Sequence, residues 1–386
     1  MLEKALSGDR RYWSWIAVLL AVIGAGAFCY LRQLEVGLGI TGMSRDVSWG
    51  FYIAQFTFLV GVAASAVMVV LPYYLHDVKA FGKLTILGEL LAISAVTMCL
   101  LFIVADLGQP QRMLNIVLHP TPHSILFWDM VVLNGYLILN VVISRATLLA
   151  HRRGESPPAW VRPVVYLSIL WAVSIHTVTA FIYSGLAARP FWLTAILAPR
   201  FLASAFSSGP ALLILLCLIL KRFSAFDPGE EAISKVAVIV TYAMAINVFF
   251  ILMELFTAFY SGIPEHVEHF RYLFEGLDGH HRLVPWMWAS VALAVVALAL
   301  LVRPATRRRP AALAVACAAV FASIWIDKGL GMVVTGFVPN PLGEITEYWP
   351  TVPEAVISLG IYGIGALMVT GFYRIALAER GEVSGP

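Results

Sequence analysis

Ten apolar stretches of about 19–29 residues, each bounded by charge, divide this chain from end to end. An α-helix needs about 20 such residues to cross the hydrocarbon core of a membrane. The expected fold is therefore all-α, an integral membrane protein with spans at 13–31, 49–75, 84–107, 124–148, 163–184, 197–220, 233–261, 284–302, 311–329 and 353–376. With 60% hydrophobic and only 13% charged residues, a soluble protein of 386 residues could not hide this apolar surface in its core. Membrane lipid must be the main solvent. The net charge of +3 is small, and no basic run is interleaved with aromatics, so a nucleic-acid partner is not expected.

The N-terminus has the outline of a signal peptide, with Lys4, Arg10 and Arg11 before an apolar run. That run continues to Leu31, and Phe28 precedes Cys29 where lipoprotein cleavage would want a small residue, so an uncleaved first span is expected. The four cysteines, Cys29, Cys99, Cys217 and Cys317, each stand alone in an apolar stretch. Without a C-x-x-C they cannot hold an iron–sulfur cluster or a thiolate-bound metal within this chain.

Orientation follows from the basic residues. Most of the 26 lysines and arginines lie at the termini and even-numbered loops, from Arg10 and Arg11 through Lys79, Arg152, Lys221 and Arg307 to Arg374 and Arg380. Both termini are thus expected in the cytoplasm, with the chain in the inner (cytoplasmic) membrane and the odd-numbered loops facing outward. The outer loops, the longest being 262–283 and 330–352, collect acids and histidines such as Glu265, His266, Glu268 and Glu347. They are a candidate partner surface, or simply solvated loops.

Ionisable groups inside a membrane are expensive and are functional candidates by default. Most of those here fall in the outer half. Span 5 carries His176, Thr179 and Tyr183 at i, i+3, i+7, one helix face, with His176 about 10 Å below the outer end at 1.5 Å per residue. Span 2 opens with Trp49 and Gln55, span 3 ends at Asp106, and span 4 begins with Trp128 and Asp129. Span 7 carries Asn247 and Glu254, and span 9 reaches the outer side at Asp327 and Lys328. Arg45, Arg189 and Arg200 flank the same side, while Glu89 is the exception near the inner end. Each has a structural alternative: Asp327 with Lys328, or Asp106 with Arg112, as neutralising pairs, and His176 as a helix–helix hydrogen bond. Small residues Gly61, Ala63, Ala64 and Ser65 in span 2, and Ser204, Ser207, Ser208 and Gly209 in span 6, mark close helix contacts, and Pro210 is expected to break span 6.

Haem between helices would want two histidines at matched depth, and only His176 lies well inside a span. No phosphate-binding or dinucleotide fingerprint occurs. A quinone suits the polar groups better. Its two carbonyl oxygens take hydrogen-bond donors, its chemistry takes protons from nearby His, Tyr or carboxyl groups, and its tail needs an apolar cleft. His176, Tyr183, Asp129 and Gln55 supply such groups.

The stretches S-I-H-T-V-T-A-F-I-Y-S-G-L-A-A-R-P-F-W (174–192), L-A-P-R-F-L-A-S-A-F-S-S-G-P-A-L (197–212) and W-G-F-Y-I-A-Q-F-T-F-L-V-G (49–61) resemble the polysulfide reductase membrane subunit family, NrfD/PsrC. W-I-D-K-G-L-G-M-V-V-T-G-F-V-P-N-P-L-G-E (325–344) and E-Y-W-P-T-V-P-E (347–354) resemble its ten-helix branch, which includes the DsrP and HmcC subunits of sulfur-metabolism redox complexes. The resemblance implies two four-helix bundles, 49–184 and 197–329, related as an inverted repeat, with peripheral helices at 13–31 and 353–376. It implies non-covalent menaquinone near the outer face of the first bundle, no haem, cluster or metal in this chain, and an outer iron–sulfur partner with further cytochrome or membrane subunits. Carried over by position, the quinone-site candidates are His176, Tyr183, Arg189, Trp49 and Gln55; depth adds Asp129 and Thr179. Asp106, Glu89, Asn247, Glu254, Asp327 and Lys328 are candidates for proton paths. The expected role is a quinone-exchanging subunit in anaerobic respiration, inactive as an enzyme on its own. The rivals are a passive anchor for an electron-transfer partner and a secondary transporter, which would show broken helices at matching places in both halves.

Overall fold

The computed structural model describes residues 7–63 and 65–379; Lys4, Ala64 and Arg380 lie outside the described residues. Among the described residues ten helices are long and apolar enough to cross a membrane: α1 (Arg10–Val36), α2 (Phe51–Leu75), α3 (Thr85–Asp106), α4 (Ile125–Arg153), α5 (Val161–Ser184), α6 (Leu197–Phe223), α7 (Glu230–Ser261), α8 (Val284–Val302), α9 (Pro310–Thr335) and α10 (Val352–Glu379). The described residues contain no strand beyond an isolated bridge between Leu277 and His280. Large apolar side chains such as Leu20, Leu31, Ile138, Leu170, Phe256 and Val295 are exposed on the outer helices. In water that surface would be a liability; against lipid tails it is in its proper solvent.

α2 and α3, α3 and α4, and α4 and α5 pack as neighbours, and α5 returns to the second half of α2. The same succession joins α6, α7, α8 and α9, with α9 returning to α6. α2 and α5 then meet α6, and α2 also meets α9, so the two sets share a buried face. α1 and α10 pair outside them, and α10 leans on α3. Gly26 and Gly360 set the α1–α10 approach: a Cβ built on Gly26 would lie 2.7 Å from the Gly360 Cα. Small residues let transmembrane backbones close in this way, where dispersion rather than water exclusion drives association.

Two helices depart from regular winding, and they face one another. α2 runs regularly over Phe51–Ala63 and resumes at Val67–Leu75. The Ser65 N–H turns back to the Val62 carbonyl at 3.0 Å, and the Tyr136 hydroxyl of α4 donates to the Ala63 carbonyl at 3.3 Å. Backbone released inside a membrane needs such partners. Opposite, α9 passes through a π-helical stretch, Trp325–Gly331, and continues to Thr335 rather than ending near 329. The break expected at Pro210 is absent: α6 is continuous through it, and the Ser207 and Ser208 hydroxyls donate to the carbonyls of Ala203 and Ser204. The close approach belongs to Gly209, whose Cβ would meet the Ser65 nitrogen at 2.8 Å.

The loop 262–283 is not wholly irregular. It holds the helix Pro264–Phe274, with Pro264 in its first turn and Glu265 near its N-terminus, both ordinary helix-start signals.

Candidate quinone site and its surroundings

The start of α2 is fixed from a distance. Glu354, fully buried at the head of α10, accepts the Tyr348 hydroxyl at 2.7 Å and the backbone N–H groups of Gly42 at 2.7 Å and Thr351 at 2.9 Å. Tyr348 in turn accepts the Phe51 N–H at 2.6 Å, an otherwise unpaired donor of a helix's first turn. The loop between α9 and α10 therefore holds the α2 N-terminus and presents Trp49.

Trp49 stands in an aromatic enclosure built by three segments. Its ring stacks on Trp192 at 5.9 Å and meets Tyr183 and Phe337 edge-on at 5.5 and 5.8 Å. Trp192 reaches Tyr183 at 5.0 Å and Phe337 at 5.1 Å, and its indole N–H donates to the Met332 carbonyl. The Arg189 guanidinium lies 4.5 Å above Phe337, a cation–π contact. Its Nη1 is buried without a hydrogen-bond partner. Burial lowers the Arg189 pKa from the ordinary guanidinium value, opposed by the nearby Asp46 carboxylate. Beside the enclosure, His269 of the Pro264–Phe274 helix meets the Val338 carbonyl at 2.8 Å. Burial draws its pKa down to about 4, with backbone hydrogen bonds opposing, so the ring is neutral near pH 7 and Nδ1–H donates.

Below the aromatics the polar groups continue along α5. The Tyr183 hydroxyl donates to Thr57 Oγ1, which itself donates to the Ile53 carbonyl at 2.7 Å. Thr179 Oγ1 lies 2.8 Å from Asp129 Oδ1 of α4 and 2.7 Å from the Ile175 carbonyl. One turn deeper, His176 is fully buried and neither ring nitrogen has a partner. Thus Trp49, Tyr183 and Arg189 come together, Thr179 and Asp129 pair beneath them, and His176 lies deeper on the same α5 face.

Gln55 does not join this group. Its Oε1 accepts the Trp325 indole N–H and the Tyr362 hydroxyl, both at 2.7 Å, on the side of α2 toward α9 and α10. Thr57 is two residues on, about 200° around the helix, and that rotation puts Thr57, not Gln55, against Tyr183. Asp106 ends α3 with Oδ1 unpartnered, and no ion pair joins it to Arg112 among the described residues. Glu89 accepts from Ser144 at 3.3 Å, near the opposite ends of the spans from this group.

The charged residues of the second half do not act as isolated candidates. Arg200 is buried, not a flanking surface cation. Its Nη1 binds Glu254 of α7, and its Nη2 lies 2.8 Å from each Asp327 oxygen of α9. Asn247, two turns below Glu254, has its Oδ1 unpartnered. Asp327 and Lys328, adjacent in sequence, do not neutralise each other. Asp327 turns to Arg200, whereas Lys328 points at α2 with its Nζ 4.1 Å from the Phe201 ring centre and no hydrogen-bond partner.

The residues that sequence reasoning missed are Thr57, Trp192 and Phe337, and the central place of Arg200. Trp192 and Phe337 sit in loops, where helical spacing gives no sign of which side chains turn inward. No group of three or more potential metal ligands occurs among the described residues.

A family model described as polysulphide reductase, NrfD, matches residues 39–336. The chain is 28% identical to the putative dimethyl sulfoxide reductase membrane subunit of Halobacterium salinarum, covering 96% of this chain and 92% of that one. It is 25% identical to the Hdr-like menaquinol oxidoreductase integral membrane subunit of Archaeoglobus fulgidus, over 65% of this chain and 62% of the relative. It is 21% identical to the menaquinone reductase integral membrane subunit of Nitratidesulfovibrio vulgaris, over 94% and 91%.

Proposed function

The chain belongs to the NrfD polysulphide reductase family, and on that premise we propose that it is the quinone-exchanging membrane subunit of a multi-subunit respiratory redox complex. The observation that carries this is the aromatic enclosure of Trp49, Tyr183, Trp192 and Phe337 with an unpartnered Arg189 nitrogen at its edge. Flat aromatic walls and one unspent donor suit a planar ring bearing carbonyl oxygens. Two relatives are named for menaquinol or menaquinone chemistry, so menaquinone is the expected quinone.

In this reading Trp49, Trp192 and Phe337 bind the headgroup and keep water out, and Arg189 donates to a carbonyl oxygen. When bound, the quinone supplies two-electron, two-proton redox chemistry. The Tyr183 hydroxyl is held by Thr57 and orients the wall against Phe201. Asp129, fixed by Thr179, and His176 below it take up or return protons. An iron–sulfur partner on the outer side exchanges the electrons, since the enclosure lies under loops of that face. The positive-inside count supports a cytoplasmic membrane with both termini inside. The helix contacts support two units, 49–184 and 197–329, with α1 and α10 outside them.

Titration of the purified complex with a menaquinol analogue, read by quenching of outer tryptophan fluorescence, tests this. We expect saturable binding, and a His176→Ala variant that assembles and binds but loses quinone-linked turnover. Absence of binding in an intact complex would favour a passive anchor. Full turnover in His176→Ala would remove His176 from the proton role.

A further inference from the structure

The interruption of α2 gathers buried polar atoms that no group among the described residues satisfies. Ser65 Oγ, both ring nitrogens of His176, and Lys328 Nζ all lack hydrogen-bond partners. Native interiors rarely leave such atoms bare, and an ammonium is the most costly of them. They lie at one level. Tyr183 and Thr57 fix the register of α5 against the antiparallel α2. Seven residues down α5 is His176, about 10 Å deeper, and the same drop along α2 reaches the turn at Ser65 and Ala66. Lys328 and Ser208 enter from the other half: a Cβ built on Gly61 would lie 3.4 Å from both Lys328 Nζ and Ser208 Oγ.

Charge makes the arrangement unusual. Arg200 and Lys328 face Asp327 and Glu254, but Arg200 takes both carboxylates. The ammonium is left among Gly61, Ser208 and the Phe201 ring. The ionisable groups whose fields reach it are Arg200 from α6, Asp327 on its own helix, Cys99 from α3 and His176 from α5. The close approach of α2 and α6 at Gly61, with the Ala205 Cα 3.5 Å from the Cβ position, excludes a ring headgroup. Water and a proton are of the right size.

We propose that Lys328, His176, Ser65 and Ser208 form a water-bridged proton-transfer site on the shared face of the two halves, separate from the quinone enclosure. The Lys328 ammonium gives one proton to a neutral His176 nitrogen, leaving a neutral amine and an imidazolium. The imidazolium releases its proton toward Asp129 and the outer side, and the amine takes a proton from water of the inner phase. No electrons move in the step, and each residue returns to its starting state. The π-helical turn of α9 carries the amine to Gly61 of α2, within electrostatic reach of the imidazole. The inference rests on the role of His176 given above and adds the donor that recharges it.

The test uses the assembled complex in liposomes with a trapped pH dye and a menaquinol analogue as electron donor. Lys328→Arg keeps the charge but cannot give up its proton. We expect this variant to assemble and to quench tryptophan fluorescence with the analogue as wild type does. Proton movement across the membrane per electron should be lost, and Ser208→Ala should show a partial loss. Wild-type proton stoichiometry in Lys328→Arg overturns the proposal, as does a stoichiometry set by a small anion such as chloride. An infrared pH-difference spectrum of the complex with 15N-lysine needs no quinol. An ammonium band that titrates in wild type and is missing in Lys328→Arg supports the site even where turnover fails. A Lys328 band that never titrates overturns it.

Discussion

Tyr348 sits between Phe51 and Glu354, accepting the N–H of the first at 2.6 Å and donating its own proton to the second at 2.7 Å. One phenol from the loop between α9 and α10 thus ties the first turn of α2 to the head of α10. Tyr348→Phe keeps the ring and removes both bonds. Glu354 retains Gly42 and Thr351, but the Phe51 N–H loses its partner in a part-buried place. The expected cost is about 1–3 kcal/mol. It should appear as a lower melting temperature of the purified complex, with a shifted tryptophan emission as Trp49 loses its fixed position.

Trp49 makes three of the ring contacts that define the enclosure. Aromatic pairs contribute about 0.5–1.5 kcal/mol each beyond their buried area. Trp49→Ala should weaken a menaquinol analogue at least about tenfold, equivalent to about 1.4 kcal/mol, and Trp49→Phe should recover most of that. Isothermal titration is the check, since the fluorescence signal of Trp49 is itself removed. Equal affinity in all three proteins would place the headgroup elsewhere.

The ten helices were legible because hydropathy alone marks them, and Trp49, Tyr183 and Arg189 could be proposed together because they fall in the most recognisable blocks. What the chain hid was azimuth and pairing. Sequence reasoning names Gln55 and not Thr57, and two residues of helical rotation send them to different neighbours. Arg200 reads as a surface cation at a helix start, and only the packing of α6 against α7 and α9 shows that it is the centre of a buried network. Pro210 reads as a break, but the irregular backbone is in α2 at Ser65 and Ala66, and the proline of that helix, Pro72, lies beyond it in a regular stretch. The fold of loops onto one another, which buries Trp192 and Tyr348, depends on contacts hundreds of residues apart.

His269, on the helix between α7 and α8, gives the stability a pH dependence. Folding burial lowers its pKa from 6.5 to about 4, so the unfolded chain binds the proton more readily than the folded one. Stability from this group is fully present above pH 6.5 and is lost as pH falls from 6.5 toward 4, where both states become protonated. Over that window the loss is about 3 kcal/mol at most, at 1.36 kcal/mol per pKa unit. Melting temperature should fall on acidification through this range in wild type. His269→Gln, which cannot ionise but can still donate to the Val338 carbonyl, should flatten that segment of the curve. An unchanged pH profile would show that another group controls it.

Arg200 holds Glu254 and Asp327 on two other helices through separate nitrogens of one guanidinium. A fork of donors does this and a point charge does not. Arg200→Ala strands two buried carboxylates, and the expected loss is about 3–5 kcal/mol, typical of a broken buried pair. Arg200→Lys should recover only part, since one ammonium cannot serve both partners in the same geometry. Replacing all three together, with Met at 200, Gln at 254 and Asn at 327, removes the charges instead of stranding them and should be more stable than Arg200→Ala. These comparisons are read from melting of the assembled complex. The network joins α6, α7 and α9, and among the described residues no hydrogen bond or ion pair links it to the aromatic enclosure, so analogue affinity in those variants that assemble should stay at the wild-type value. Lost affinity alongside retained melting temperature would instead show that the network positions the enclosure through α6, where Phe201 lies against Tyr183.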